Sequence, residues 1–294
     1  MKNQGVPKLF GFAQLDFAGT LSLADGRYLE RDEDGEQVLV VRTLGSPPQP
    51  HRRRRRAKGV EPEPAAAPLP VARVTAIRAY APFAGEAEAQ RWLEQATEAE
   101  ETADEIVADA VGLLNRALHA QWVAAAEPHS AELTPERAVA VRIGFGAGEE
   151  VAEGRFTAAR EVDVWATGAS RRRRREEGMR PQERVAAVLG GRERFEVCET
   201  LLLRARADLD AGRRREAALQ LRIGLEALLA ELGDTRGDAG HAEDLATLRE
   251  NRREAVEAAD AALAGELSPQ RLEQVGELLA LCERVLRRRR VLRG

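Results

Sequence analysis

A glycine-rich segment follows a predicted strand at residues 144–148, where Gly144, Gly146 and Gly148 alternate with Phe145 and Ala147. A glycine turn between a strand and a helix exposes backbone N–H groups to phosphate, as nucleotide-binding loops do. The dinucleotide pattern requires glycine five positions after the first, where a carboxylate, at Glu149, would repel phosphate. We therefore interpret segment 144–148 as a structural turn, and an enzyme site there is only an alternative.

Histidines and cysteines are the other residues that could bind a metal or act as nucleophiles. None of the histidines stands near a cysteine or carboxylate at metal-ligand spacing. We expect no bound metal and no cofactor, and this absence of a catalytic constellation favours a protein that is not an enzyme. The residues concerned are His51, His119, His129, His241, Cys198 and Cys282.

Arginine dominates the basic residues, since only three of the 45 are lysine. Guanidinium groups in flexible joints are candidate contacts for phosphate or other anions, without sequence preference. The net charge of −4 argues against a globally basic nucleic-acid binder, and no aromatic residue is interleaved for base stacking. A nucleic-acid-associated protein is therefore an alternative. Its candidate contacts are Arg52, Arg53, Arg54, Arg55 and Arg56, and Arg171, Arg172, Arg173, Arg174 and Arg175.

The C-terminal helices resemble in texture the helical bundles of prokaryotic nucleotide-associated ribonucleases. The motif of those proteins places four to six residues between an arginine and a histidine on a helix, and Arg236 and His241 have that spacing. The surrounding TRGDAGHAED is rich in Gly and Asp and predicts a loop. The resemblance implies a helical-bundle ribonuclease, which we keep as a further alternative without assigning the chain to that family.

The N-terminal residues 1–44 predict a β meander of three strands. Large apolar residues fill LFGFAQLDF, and GRYLER and EQVLVVRTL follow it. Asp25-Gly26 and Asp34-Gly35 separate these runs, and Asp-Gly is a strong hairpin signal.

A linker at 45–70 separates the meander from the next segment. Its prolines and arginines predict a disordered Pro/Arg-rich stretch. Segment 71–170 then reads as α/β, with a strand at 71–80, a long helix at 86–126 and further strands at 138–150 and 161–166. A strand, a helix and a strand in succession favour a crossover connection, and we expect 71–170 to pack with 1–44 as one domain.

The long helix at 86–126 carries a seam of apolar or small residues at alternating steps of four and three. Such a heptad pattern is typical of helices that pack on a partner or on their own domain. A continuous helix of this span would be about 60 Å long, so we expect it either to break, near Thr102 or Gly112, or to project and pack on a partner. The seam is the candidate helix-packing surface. It consists of Trp92, Ala96, Ala99, Ala103, Ile106, Ala110, Leu113 and Ala117.

Residues 181–294 predict an antiparallel helical bundle, because apolar residues recur at helical spacing and the connections are short. The predicted helices are 192–211, 213–232, 242–264 and 269–292. The fold class is therefore α+β, mainly α, with a β-rich N-terminal part and a C-terminal bundle.

The function expected first is a non-catalytic interaction or scaffold protein that acts through helical packing. We expect a homo-oligomer or a protein partner, and regard nucleic acid as a less favoured partner. The chain shows no membrane-spanning stretch and no signal-peptide pattern, and two cysteines do not make a disulfide framework. We therefore expect a cytoplasmic protein.

Overall fold

The computed structural model describes residues 8–32, 35–45, 69–127, 132–163, 182, 184–232 and 239–293. The chain divides into two compact units, Met1–Arg171 and Arg172–Gly294. The first contains a sheet with helices and the second is helical, so the expected α+β class with a C-terminal helical region is confirmed.

The N-terminal unit is built on a six-stranded antiparallel sheet with the order β2-β3-β4-β1-β5-β6. Four of these strands lie where the sequence predicts them near 9–44 and 71–80. The fifth lies within the strand expected at 138–150. The strand expected at 161–166 is misplaced, because the observed strand ends at Glu161 and residues 162 and 163 belong to no strand, while 164–166 lie outside the described residues. The strands are β1 Leu9–Ala18, β2 Gly26–Asp32, β3 Gly35–Leu44, β4 Val71–Phe83, β5 Ala138–Ala147 and β6 Ala158–Glu161.

The predicted meander is wrong, because β1 does not pair with β2. Strands β2 and β3 form a hairpin, whereas β1 lies between β4 and β5. Residues 11–17 of β1 are all buried, so both faces of this strand need cover and it takes a central place. Asp25-Gly26 therefore does not close a hairpin. The carboxylate of Asp25 instead accepts hydrogen bonds from Thr43 N and Oγ1, each 2.8 Å.

The crossover connection is confirmed. Strands β4 and β5 both run antiparallel to β1 and are therefore parallel to each other, with β1 inserted between them. Two helices connect them, α1 Glu86–Glu98 and α2 Glu100–Ala125.

The long helix expected at 86–126 does break, at Ala99 and not at Thr102 or Gly112, because Ala99 is extended, with φ −100° and ψ 125°. A straight helix of that span would be about 60 Å long and would overshoot the sheet. The break lets both helices turn their Ala, Val and Leu side chains onto the same face of the sheet. The opposite face carries a short helix, α3 Gly148–Ala152, packed on Phe12, Val40 and Ile77.

The C-terminal unit is a set of helices around a core of Leu, Ala and Val. Ion pairs join Arg206 to Glu283 and Arg289 to Glu196, which makes the first and last of these helices antiparallel. The third predicted helix is interrupted at Asn251. The helices are α4 Val197–Asp210, α5 Arg214–Leu232, α6 Ala239–Glu250, α7 Arg252–Ala264 and α8 Pro269–Arg293.

Candidate functional site

The sheet face opposite α1 and α2 carries a group of polar side chains. Residues directly opposite each other in antiparallel strands share a face, and neighbouring strands lie about 4.8 Å apart. One row across the sheet consists of Val40, Thr75, Gln14, Arg142 and Glu161. The next row consists of Arg42, Arg73, Asp16 and Ala140.

Asp16 is the buried acid of this group and joins two arginines. Arg73 donates two hydrogen bonds to its carboxylate, Nε to Oδ1 and Nη2 to Oδ2, each 2.8 Å. Arg142 Nη1 donates a third, at 3.2 Å. Burial alone would raise the pKa of Asp16, but the hydrogen bonds and charges of Arg73 and Arg142 outweigh it and lower the pKa. The carboxylate therefore stays ionised and fixes both guanidinium groups in place.

Arg42 has no such counter-ion. Its guanidinium is exposed and donates a hydrogen bond from Nη1 to the backbone carbonyl of Glu153, at 2.6 Å. Asp25, which feels the charge of Arg42, is itself held by Thr43. Among the residues that the structure describes, no carboxylate forms an ion pair with Arg42.

The segment 148–157, which we call the strap, crosses the same face of the sheet. Glu149 and Glu153 of the strap pair with Arg27 and Arg155, each at 2.7 Å. Their charges are thus already matched by arginines other than Arg42. The guanidinium of Arg42, at the edge of the strap, pairs with neither of these two carboxylates.

A cavity of about 200 Å³ lies between the strap and strands β3 and β4. Arg42, Arg73 and Thr75 line it with donor groups, and its lining contains one carboxylate, Glu153, which is paired with Arg155. Gln14 Nε2 donates to Thr75 Oγ1 at 3.1 Å, so the hydroxyl proton of Thr75 remains available to a further acceptor. The cavity therefore offers donors and positive charge to an anion.

A β-bulge lies beside this group. Asp16 faces Ala140 while Phe17 faces Ala138, so Val139 is an extra residue in β5. Bulges redirect side chains and are common next to functional sites.

The glycine segment 144–148 is not a turn, because β5 continues through Ala147. A Cβ on Gly146 would lie 2.9 Å from Val151 Cγ2 and 3.1 Å from Phe156 Cα. Glycine is needed there because the strap lies directly on the strand. The segment serves packing, and α3 begins at Gly148 with only five residues.

The predicted helix seam lies mostly inside the N-terminal unit. Ala96, Ala103, Ala110 and Leu113 are buried in its core, with Trp92, Ile106 and Ala117 half-buried against it. Ala99 is exposed at the helix break. The seam therefore packs on the unit's own sheet and does not form an open surface.

The two arginine runs, 52–56 and 171–175, lie outside the described residues, as does Arg236. The phosphate contacts proposed for these runs stay a prediction. His241 lies in the first turn of α6 and is 1% exposed, so it is not on the loop that the sequence predicts. A polynucleotide cannot reach this imidazole in the folded state.

Both cysteines are free and fully buried in the C-terminal unit. Burial, followed by contact with Glu231, raises the pKa of Cys198. Burial also raises the pKa of Cys282, to about 12. Neither thiol is a nucleophile at neutral pH, because the thiolate is the reactive form.

Comparisons with protein-family models, curated proteins and solved structures found no match. Within the part of the chain that the structure describes, each helix is too short or too polar to cross a bilayer. No three His, Cys, Asp or Glu side chains of that part form a group that could hold a metal ion.

Sequence reasoning missed Arg42, Arg73, Arg142 and Asp16 as a group. A signal was present, because each charged residue interrupts an apolar strand and marks its polar face. Their convergence depends on β1 lying between β4 and β5, which no local pattern shows.

Proposed function

We propose that the chain is a non-catalytic binding protein whose N-terminal sheet binds an anion through Arg42 and Arg73. A single observation carries this proposal: three guanidinium groups lie on one sheet face beside a cavity, and the one buried carboxylate among them pairs with only two, Arg73 and Arg142. The exposed Glu161 lies 3.9 Å from Arg142, at the far side of the group from Arg42. An excess of positive charge therefore remains at the cavity.

Asp16 is a positioning residue in this proposal. Its carboxylate uses Nε and Nη2 of Arg73 and leaves Nη1 for a ligand. Guanidinium groups suit planar or tetrahedral oxyanions because they donate several hydrogen bonds from a rigid fork. The cavity wall adds the Thr75 hydroxyl as a neutral donor.

The neighbourhood also explains why we propose a small anion and not a polyanion. Around the cavity, Arg27 and Arg155 are neutralised by Glu149 and Glu153. A polyanion would meet those carboxylates as it extended beyond the cavity. A compact anion meets the donors and one lining carboxylate, Glu153, whose charge is paired with Arg155.

Titration calorimetry with inorganic phosphate, against sodium chloride at equal ionic strength, tests the proposal. The wild-type protein should bind phosphate with a dissociation constant of about 1 mM or lower. Arg42→Gln should weaken binding at least tenfold, whereas Arg31→Gln, an exposed arginine paired with Glu36, should not. No binding, or equal binding by the Arg42→Gln variant, would refute the proposal.

The expected homo-oligomer or protein partner is a separate proposal, because it rests on other surfaces. The large apolar side chains that are more than half exposed on the C-terminal unit include Val197, Leu203, Ile223 and Leu263. They supply contact area that the buried seam does not. We also propose a cytoplasmic location, which two free buried thiols support.

A further inference from the structure

The cavity beside Arg42 has a polar wall and an apolar wall, and Glu153 and Gly154 of the strap complete its lining. One wall carries the donors of Arg42, Arg73 and Thr75. The other wall is apolar and consists of Val40 and Leu44 from β3 and Val151 and Ala152 from the strap. Three of these four apolar residues are buried and Leu44 is half-buried.

We propose that the ligand is a small organic anion, with an oxyanion head at Arg42 and Arg73 and a short apolar body against Leu44 and Val151. This inference rests on the proposed anion-binding function. An inorganic ion would use the donors and leave the exposed part of this wall, chiefly at Leu44, in contact with water. An attached hydrocarbon group removes that wall from water, which is favourable in proportion to the area covered.

The size of the cavity limits the body to a few carbon atoms. Its volume of about 200 Å³ is smaller than the roughly 300–1,000 Å³ of pockets that enclose drug-sized ligands. Long chains and ring systems would extend beyond the lining residues into solvent. Short-chain carboxylates and small phosphate esters share the required chemistry.

The strap supplies half of the apolar wall and is fixed at both ends of its short helix. Glu149 pairs with Arg27 on β2, and Glu153 accepts from Arg42 on β3. Phe156 packs on Phe12 of β1, with ring centroids 5.5 Å apart. These contacts hold Val151 and Ala152 against the sheet before any ligand arrives, so the apolar wall is preformed.

Titration calorimetry with acetate, propionate, butyrate, inorganic phosphate and the neutral butyramide tests this inference on the full chain. Affinity should rise about fourfold with each added CH₂ from acetate to butyrate. Butyramide should bind at least tenfold more weakly than butyrate. Leu44→Ala should reduce the gain from acetate to butyrate, whereas Leu29→Ala, an exposed leucine on β2 outside the cavity, should preserve it.

The outcomes separate the inference from the function it rests on. Equal affinity for acetate, butyrate and phosphate would contradict the claim that the ligand has an apolar body, and would leave the proposed anion binding intact. Binding of butyramide as tight as that of butyrate would contradict the claim that the ligand has an oxyanion head. Failure of every anion to bind would overturn both. The wild-type series decides the question even if Leu44→Ala does not fold.

Discussion

The carboxylate of Asp16 faces the guanidinium of Arg73 across two neighbouring strands, joined by two hydrogen bonds of 2.8 Å. Asp16→Asn removes the charge that holds Arg73 and Arg142 together. We expect this variant to lower the free energy of unfolding of the N-terminal unit by about 2 kcal/mol. Urea unfolding followed by tryptophan fluorescence measures it, because Trp92 and Trp122 lie on α1 and α2 of that unit and residues 172–294 contain no tryptophan. Glu105→Gln, at an exposed position of α2, is the control.

The same ion pairs predict that the stability of the N-terminal unit depends on pH. The pKa of Asp16 is lower in the folded protein than its ordinary value. Its contribution to stability is therefore complete above the unfolded pKa and is lost as pH falls through the folded value. The stability difference between wild type and Asp16→Asn should shrink below about pH 4. A difference that stays constant from pH 7 to pH 3 would contradict this.

A side chain added at Gly144 is expected to overpack the sheet and lower its stability. A Cβ there would lie 2.7 Å from Phe12 Cζ and 2.5 Å from the carbonyl oxygen of Ala158. Gly144→Ala should destabilise the N-terminal unit by about 1–3 kcal/mol, because strand backbone cannot move aside. Gly26→Ala, where the nearest atom is 3.8 Å away, is the matched control. Equal unfolding midpoints for the two variants would refute the packing role.

The seam predicts an effect on folding and not on association. Ala110 is 3% exposed within the core of the N-terminal unit. Ala110→Asp should lower the unfolding free energy by about 3 kcal/mol or more, because it buries an unpaired charge. Asp109→Ala on the exposed side should have little effect. Light scattering of both variants completes the test: a smaller mass with unchanged stability would restore the seam as an interface.

Glu231 predicts a local effect in the C-terminal unit. Its carboxylate accepts the backbone N–H groups of Val197 and Cys198, each at 3.0 Å, at the start of α4. Burial raises the pKa of Glu231, but these hydrogen bonds outweigh it and lower the pKa. Glu231→Gln should cost about 1 kcal/mol and speed amide exchange in the first turn of α4. Exchange as slow as in Glu216→Gln, the control, would contradict the capping role.

Local patterns predicted the elements well, because strands and helices are encoded by the spacing of neighbouring apolar residues. Val71 to Tyr80 alternates and forms part of β4, and the predicted helices 213–232 and 269–292 correspond closely to α5 and α8. The break at Ala99 carries no Gly or Pro signal. It follows from the fit of α1 and α2 to the sheet, which is a tertiary effect.

The candidate site was beyond local reasoning for a different reason. Arg42, Arg73 and Arg142 come from three strands far apart in sequence, and only the strand order places them together. The arginine runs 52–56 and 171–175 were predicted as anion contacts because a cluster of adjacent charges is recognisable in a sequence. A single arginine on a strand is visible only as an exception to the apolar pattern.

The central position of β1 has a consequence for the order of assembly. Leu9 pairs with Ala147, so the first described strand completes its hydrogen bonds only when β5 is available. During synthesis from the N-terminus, β1 therefore emerges well before one of its two neighbours exists. Contacts of such long sequence separation slow folding. The apolar strand Leu9–Ala18 is thus exposed to aggregation with other strands until residues 138–147 have been synthesised and can pair with it.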